Sequence, residues 1–102
     1  MRRATTPTHT FTFPETVSIS EAAEVLISYS QSGKLILEKT LDDLELDTEN
    51  NSFILDLTQA ESNLFAPGKA LIQLRAKTNT GDALISQMIW LTVKPALDSK
   101  EI

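Results

Sequence analysis

Residues 24–39 read EVLISYSQSGKLILEK, two aliphatic and β-branched runs joined by SQSG. In the first run Val25, Ile27 and Tyr29 alternate with Leu26, Ser28 and Ser30, and a period of two is that of a strand, not of a helix. In the second run Leu35 and Leu37 fall on one side together. Gly33 can adopt the positive φ that tight hairpins demand, so the stretch predicts two antiparallel strands and a short loop.

The same rhythm extends outward in both directions. Upstream, His9 to Phe13 puts Phe11 and Phe13 on one face and Thr10 and Thr12 on the other. Downstream, LDDLELDTENN alternates leucine with acid, and SFILDL sets Phe53, Leu55 and Leu57 in register. KALIQLRAK turns Ala70, Ile72, Leu74 and Ala76 inward and Gln73, Arg75 and Lys77 outward, and ALISQMIWLTV forms the last long run, before Pro95. Two pieces break the pattern. Thr58 and Glu61 have capping-box spacing in LTQAESNLF, which predicts a short helical crossover near residues 58–64. Ser18 and Glu21 share that spacing in SISEAAEVL, but the β-branched run that follows limits it to one turn. About seven short strands at spacings of about 8 to 12 residues predict an all-β, antiparallel sandwich.

Composition bounds the chemistry. At 102 residues the chain fits one domain, expected over 1–102 with a free basic arm at 1–7 and a frayed tail at 96–102. No cysteine is present, which excludes disulfides, thiolate metal sites and a cysteine nucleophile. A formal charge of −5 opposes binding to a phosphate backbone, so nucleic acid is not an expected partner. No apolar run approaches the roughly 18–20 residues that cross a bilayer, and MRRATTPT has no apolar run behind its arginines, so neither a membrane span nor a secretory signal is expected.

The candidate sites are few. His9 is the chain's one histidine, with no second one to make a metal pair and no G-x-S-x-G motif elsewhere, so it reads as a strand or surface histidine. Asp43, Glu45 and Asp47 match the first, third and fifth places of a calcium loop, but Thr48 stands where glycine is required and Ile54 where the bidentate glutamate belongs. A solvated acidic face is the better reading. SGK at Ser32–Lys34 lacks the rest of a phosphate loop, and NNS at Asn50–Ser52 is a glycosylation pattern without a secretory signal. No catalytic, cofactor or metal residue is assigned, and the chain is read as non-enzymatic.

A different signal lies on faces expected to be wet. Leu26, Ile36, Ile54 and Leu71 point away from the inward rows, and either Met88 and Trp90 or Ile89, Leu91 and Val93 join them. Either bulges shift the parity or flanking segments cover these residues, or the extra row is a protein-contact surface. Trp90, Met88 and Tyr29 are types enriched at interfaces, and Arg2 and Arg3 on the basic arm are placed to reach an acidic neighbour.

The opening MRRATTPTHTFTFP, the element Leu57, Thr58, Gln59 and Glu61, the strand Ile72, Gln73 and Arg75, and the turn Gly81, Asp82, Ala83 and Leu84 resemble a family of short phage- and prophage-encoded proteins of Gram-positive, often gut, bacteria. That family is similar in layout to the immunoglobulin-like β modules of phage tails and baseplates, notably the N-terminal domain of upper baseplate proteins. The resemblance implies an immunoglobulin-like sandwich, no cofactor, and a structural role in a virion, assembled in the host cytoplasm through contacts with other phage proteins or with itself. An alternative is a carbohydrate- or cell-surface-binding module with Trp90 or Tyr29 as a stacking platform. A small hydrolase would have only His9 as its imidazole.

Overall fold

The computed structural model describes residues 1–95. The tail expected at 96–102 lies outside the described residues. Among the described residues seven strands form two antiparallel sheets: β1 (Thr8–Thr12), β5 (Ser52–Asp56) and β4 (Glu45–Asp47) in one, and β3 (Lys34–Thr40), β2 (Glu24–Gln31), β6 (Gly68–Lys77) and β7 (Ala83–Val93) in the other, each sheet in that order. The chain changes sheet between β1 and β2, between β3 and β4, and again between β5 and β6. That last crossing carries the helix α1 (Gln59–Ser62). The expected sandwich is the fold.

The inward rows are those the alternation indicates. Phe11, Phe13, Phe53, Leu55 and Leu57 meet Val25, Ile27, Tyr29 and the β6 row Ala70, Ile72, Leu74 and Ala76, all buried. Phe65, just beyond α1, packs edge-on against Tyr29 with ring centroids 5.6 Å apart.

Local chemistry sets the connections. Ser32 and Gly33 both have positive φ, 51° and 77°, the type I′ geometry that joins Gln31 to Lys34 in two residues. Thr58 caps α1 by accepting from the Glu61 amide at 3.1 Å, while the Glu61 carboxylate accepts from the Thr58 amide at 2.9 Å. The 3-10 turn Ile19–Glu21 is the one turn expected of SISEAAEVL. Asn51, at φ 52°, donates its side-chain amide to the Phe13, Pro14 and Val17 carbonyls, fastening the loop that leaves β1. Asp47 accepts from the Asn50 side chain at 2.7 Å, a bond that holds its carboxyl below the usual range.

Two expectations are corrected here. A bulge lies where Tyr29 pairs with Leu37 but Ser30 pairs with Leu35. One extra residue on β3 reverses its parity, so Leu35, expected inside, is 56% exposed, while Ile36 packs partly against the core. The basic arm is also not free. The Lys94 amide donates to the Met1 carbonyl at 2.7 Å and the Arg3 amide to the Lys94 carbonyl at 3.0 Å, so Arg2 bridges Lys94 in parallel. Further along, the Leu57 amide donates to the Pro7 carbonyl.

Candidate protein-contact surface

The outer face of the four-stranded sheet is built by register. Trp90 lies directly opposite Leu71, and Met88 opposite Gln73. These partners point away from the sandwich because Ala70, Ile72 and Leu74 on the same strand point in. Trp90 is 68% exposed and Met88 66% exposed, with Leu71 half-buried beside them. The Gln73 side-chain amide donates to the Met88 sulfur at 3.4 Å. Leu35, placed outside by its bulge, extends the row Leu35–Ser30–Leu71–Trp90 across all four strands. The alternation that left Met88/Trp90 and Ile89/Leu91/Val93 as alternatives is resolved: Val93 is buried and Leu91 packs against the core.

Other candidates are elsewhere. Tyr29 is fully buried, on the same inward row as Val25 and Ile27, and is removed from the contact set. Ile36 is partly taken up by the core, as described. Ile54 sits half-buried on the outer face of the other sheet, between Thr10 and Glu45, and cannot join Trp90. Leu26 shares the outer face with Trp90 but pairs with Arg75, two rows away. There it lines a shallow cleft with Leu41, Asp42 and Lys77. Arg2 donates to the Pro95 carbonyl and Arg3 to the Asn63 carbonyl, so both fasten the N-terminal segment to its own domain.

β7 is also a sheet edge. Its eleven residues contain no charged side chain. The opposite edge, β3, carries Lys34, Glu38 and Lys39, and β4 is three residues long with Glu45 and Asp47. Charge and shortness are how proteins keep strand edges from pairing with foreign chains. β7 has neither. Its C-terminal end is closed by the N-terminal segment, whose Met1 amino group donates to the Thr92 carbonyl at 2.8 Å. From Ala83 to Leu91 no described residue pairs with that side of the strand. On the inner side Ile89 is still 37% exposed and Gln87 is exposed, because the three-stranded sheet does not reach across the middle of β7.

A second group of polar side chains is gathered at the other flank. His9 Nδ1 lies 2.6 Å from Tyr29 Oη, and the two rings stack with centroids 5.6 Å apart. Lys39 pairs with Glu61 on α1. Burial, and then the Glu61 carboxylate, hold the Tyr29 phenol well above its usual range. Burial, and then the positive amino terminus, push the His9 imidazole below 6.5. Burial raises the Glu61 carboxyl, but the Lys39 ammonium and the Thr58 amide outweigh it and leave a net lowering. The phenol keeps its proton, so we assign it as donor to a neutral imidazole. This joins β1 to β2 across the sandwich, and it offers His9 no nucleophile to activate. Among the described residues no three His, Cys, Asp or Glu side chains lie close enough to hold a metal ion, and no helix is long and apolar enough to cross a membrane.

No family model matches the chain, and no curated protein matches it. Among solved structures it is similar to CopC from Methylosinus trichosporium OB3b, with a TM-score of 0.60 and 22% identity over 97% of this chain and 87% of that chain. At that identity the likeness is one of fold. It corrects the expected role: the neighbour is CopC and not a tail or baseplate module, and with no family match behind it the reading as a phage-particle structural protein is withdrawn.

Proposed function

We propose that this chain is a non-enzymatic binding domain that docks an uncharged, apolar strand of a partner protein along the open edge of β7. The observation that carries this reading is the combination on one strand of an edge that no described residue pairs with from Ala83 to Leu91, no charge, and two large apolar side chains, Trp90 and Met88, about two-thirds exposed. In strand addition the main-chain hydrogen bonds supply affinity and alternate side chains supply selectivity. Here the edge offers the first and the Trp90–Leu71–Met88 platform the second. A charged partner strand would find nothing to pair with, and its desolvated charge would oppose binding.

Trp90 is the chain's one tryptophan, so its emission reports directly on this surface. The test uses a dilute chain and a lysine-flanked peptide of the β7 sequence with phenylalanine in place of tryptophan. Docking shifts the Trp90 emission to the blue and shields it from acrylamide. Met88→Lys weakens the response, while Ile54→Lys, on the outer face of the other sheet, leaves it intact. Unchanged emission up to millimolar peptide overturns the reading.

A further inference from the structure

Resting on that reading, we infer that the strand that fits the β7 edge is β7 of a second copy of this chain, running antiparallel about a two-fold axis through Gln87. Three features of the strand lead to this partner and this register.

The first is the extent of the open edge. It runs from Ala83, where β7 begins, to Leu91, beyond which Met1 closes it at Thr92. Residues directly opposite in an antiparallel pair point to the same side of the sheet, so a two-fold axis passes through a residue, not between two. Two copies centred on the midpoint of the open stretch, Gln87, face each other along its length, with the bulge at Leu84 marking the end of the regular ladder on each side. Each N-terminal segment then lies just past the end of the partner's strand.

The second is side-chain complementarity in that register. Ile85 meets Ile89 of the second copy, covering the inner face that the three-stranded sheet leaves open, and the regular ladder ends at the bulge where Leu84 turns inward and Ala83 pairs with the outward Lys77. The two Gln87 amides face each other, and each has both a donor and an acceptor to offer.

The third is charge. The chain carries −5, so two copies repel across most approaches, and a contact along β7 is free of charge over its whole length. Antiparallel pairing also brings Asp82, at the start of one strand, toward Lys94 and Arg2 at the end of the other. Opposite charges meet at both ends. The result is one continuous eight-stranded sheet with the Trp90–Met88 platforms of both copies on the same outer face.

The lack of cysteine gives a direct test. Opposed Cα atoms in an antiparallel pair lie about 4.5–5.5 Å apart, inside the window of about 4.4–6.8 Å that a disulfide spans. Gln87→Cys, oxidised gently, forms a covalent dimer on the order of a hundredfold faster than Thr10→Cys, an exposed site on the other sheet, because pairing raises the local thiol concentration to the millimolar range. Sedimentation equilibrium of the unmodified chain shows dimer mass growing with concentration, and Ile89→Lys returns it to monomer with an unchanged circular dichroism spectrum. Monomer mass at every concentration, or equal cross-linking at the two cysteines, overturns the inference. If the chain stays monomeric while the β7 peptide still shifts Trp90 emission, the partner is wrong and strand docking stands. If neither occurs, both fall.

Discussion

His9 and Tyr29 hold the two sheets together at one flank, the imidazole Nδ1 2.6 Å from the phenol oxygen and the rings stacked. The imidazole is neutral in this arrangement, since burial and the nearby amino terminus hold its pKa below 6.5. The unfolded chain therefore takes up a proton near pH 6.5 that the folded chain refuses. By linkage, stability is at its full value above that pH and falls as pH drops through it toward the folded value. Urea midpoints measured between about pH 5 and 8 decline on the acid side, and His9→Gln flattens the decline. The Lys39–Glu61 pair acts in a separate window: the lowered Glu61 carboxyl contributes above its ordinary 4.5 and loses that contribution as pH falls further.

Tyr29→Phe isolates the hydroxyl. The ring stays packed against Phe65, but His9 Nδ1 loses its donor inside the sandwich. The expected cost is about 1–2 kcal/mol in urea denaturation. With one histidine in the chain, proton NMR reads its titration cleanly. The midpoint moves up in the variant, because the neutral form has lost the bond that favoured it.

The sandwich was legible because burial on one face writes itself as alternation, and Phe11/Phe13, Val25/Ile27/Tyr29, Phe53/Leu55/Leu57 and Ala70/Ile72/Leu74/Ala76 all lie inward as that alternation indicates. Parity failed at Leu35, because one extra residue in β3 reverses every side chain beyond it and leaves no mark in composition. Tyr29 was misplaced among contact residues by residue type, although its own row already put it inside. The docking of the segment Met1–Arg3 beside Lys94 rests on main-chain hydrogen bonds and on arginine side chains that donate to main-chain carbonyls, which no side-chain pattern announces. The exposed face of Trp90 and Met88 was visible as an apolar excess, whereas the open edge beside it depends on strand order, a property of the folded sheet.

Asn51 stands in the sequence as part of the NNS pattern, with nothing there to mark it as a fastener. Its backbone sits at φ 52°, which asparagine tolerates better than most residues. Its amide serves three carbonyls of the loop after β1, at 3.0, 2.8 and 2.7 Å. Asn51→Gly keeps the backbone and loses those bonds, costing about 1–2 kcal/mol. Asn51→Asp costs more at neutral pH, since it turns a second oxygen toward the same carbonyls. Thermal denaturation of the two variants gives that order, and the aspartate variant recovers part of its loss in acid.

The hairpin turn makes a purely conformational prediction. Gly33 has φ 77°, and a methyl group added there would meet nothing within 4 Å. Any cost of Gly33→Ala is therefore backbone strain, about 1 kcal/mol. Ser32, at φ 51°, is already strained in the same sense. Ser32→Asn installs the Asn-Gly pair that type I′ turns prefer and raises the unfolding midpoint.

Trp90 and Phe53 make the sharpest contrast between contact and core. Phe53 is fully buried between the sheets, and its replacement by alanine costs about 3–5 kcal/mol. Trp90 is of greater size and yet two-thirds in water, so removing it forfeits little packing within its own domain. Trp90→Lys, measured by urea denaturation at dilute concentration, changes stability by less than about 0.5 kcal/mol. Met88→Lys behaves the same way. At high concentration the unmodified chain gains stability by mass action as its edges pair, and the lysine variants do not. A tryptophan that costs its own fold little when removed, but abolishes that concentration dependence, is held at the surface for what it touches.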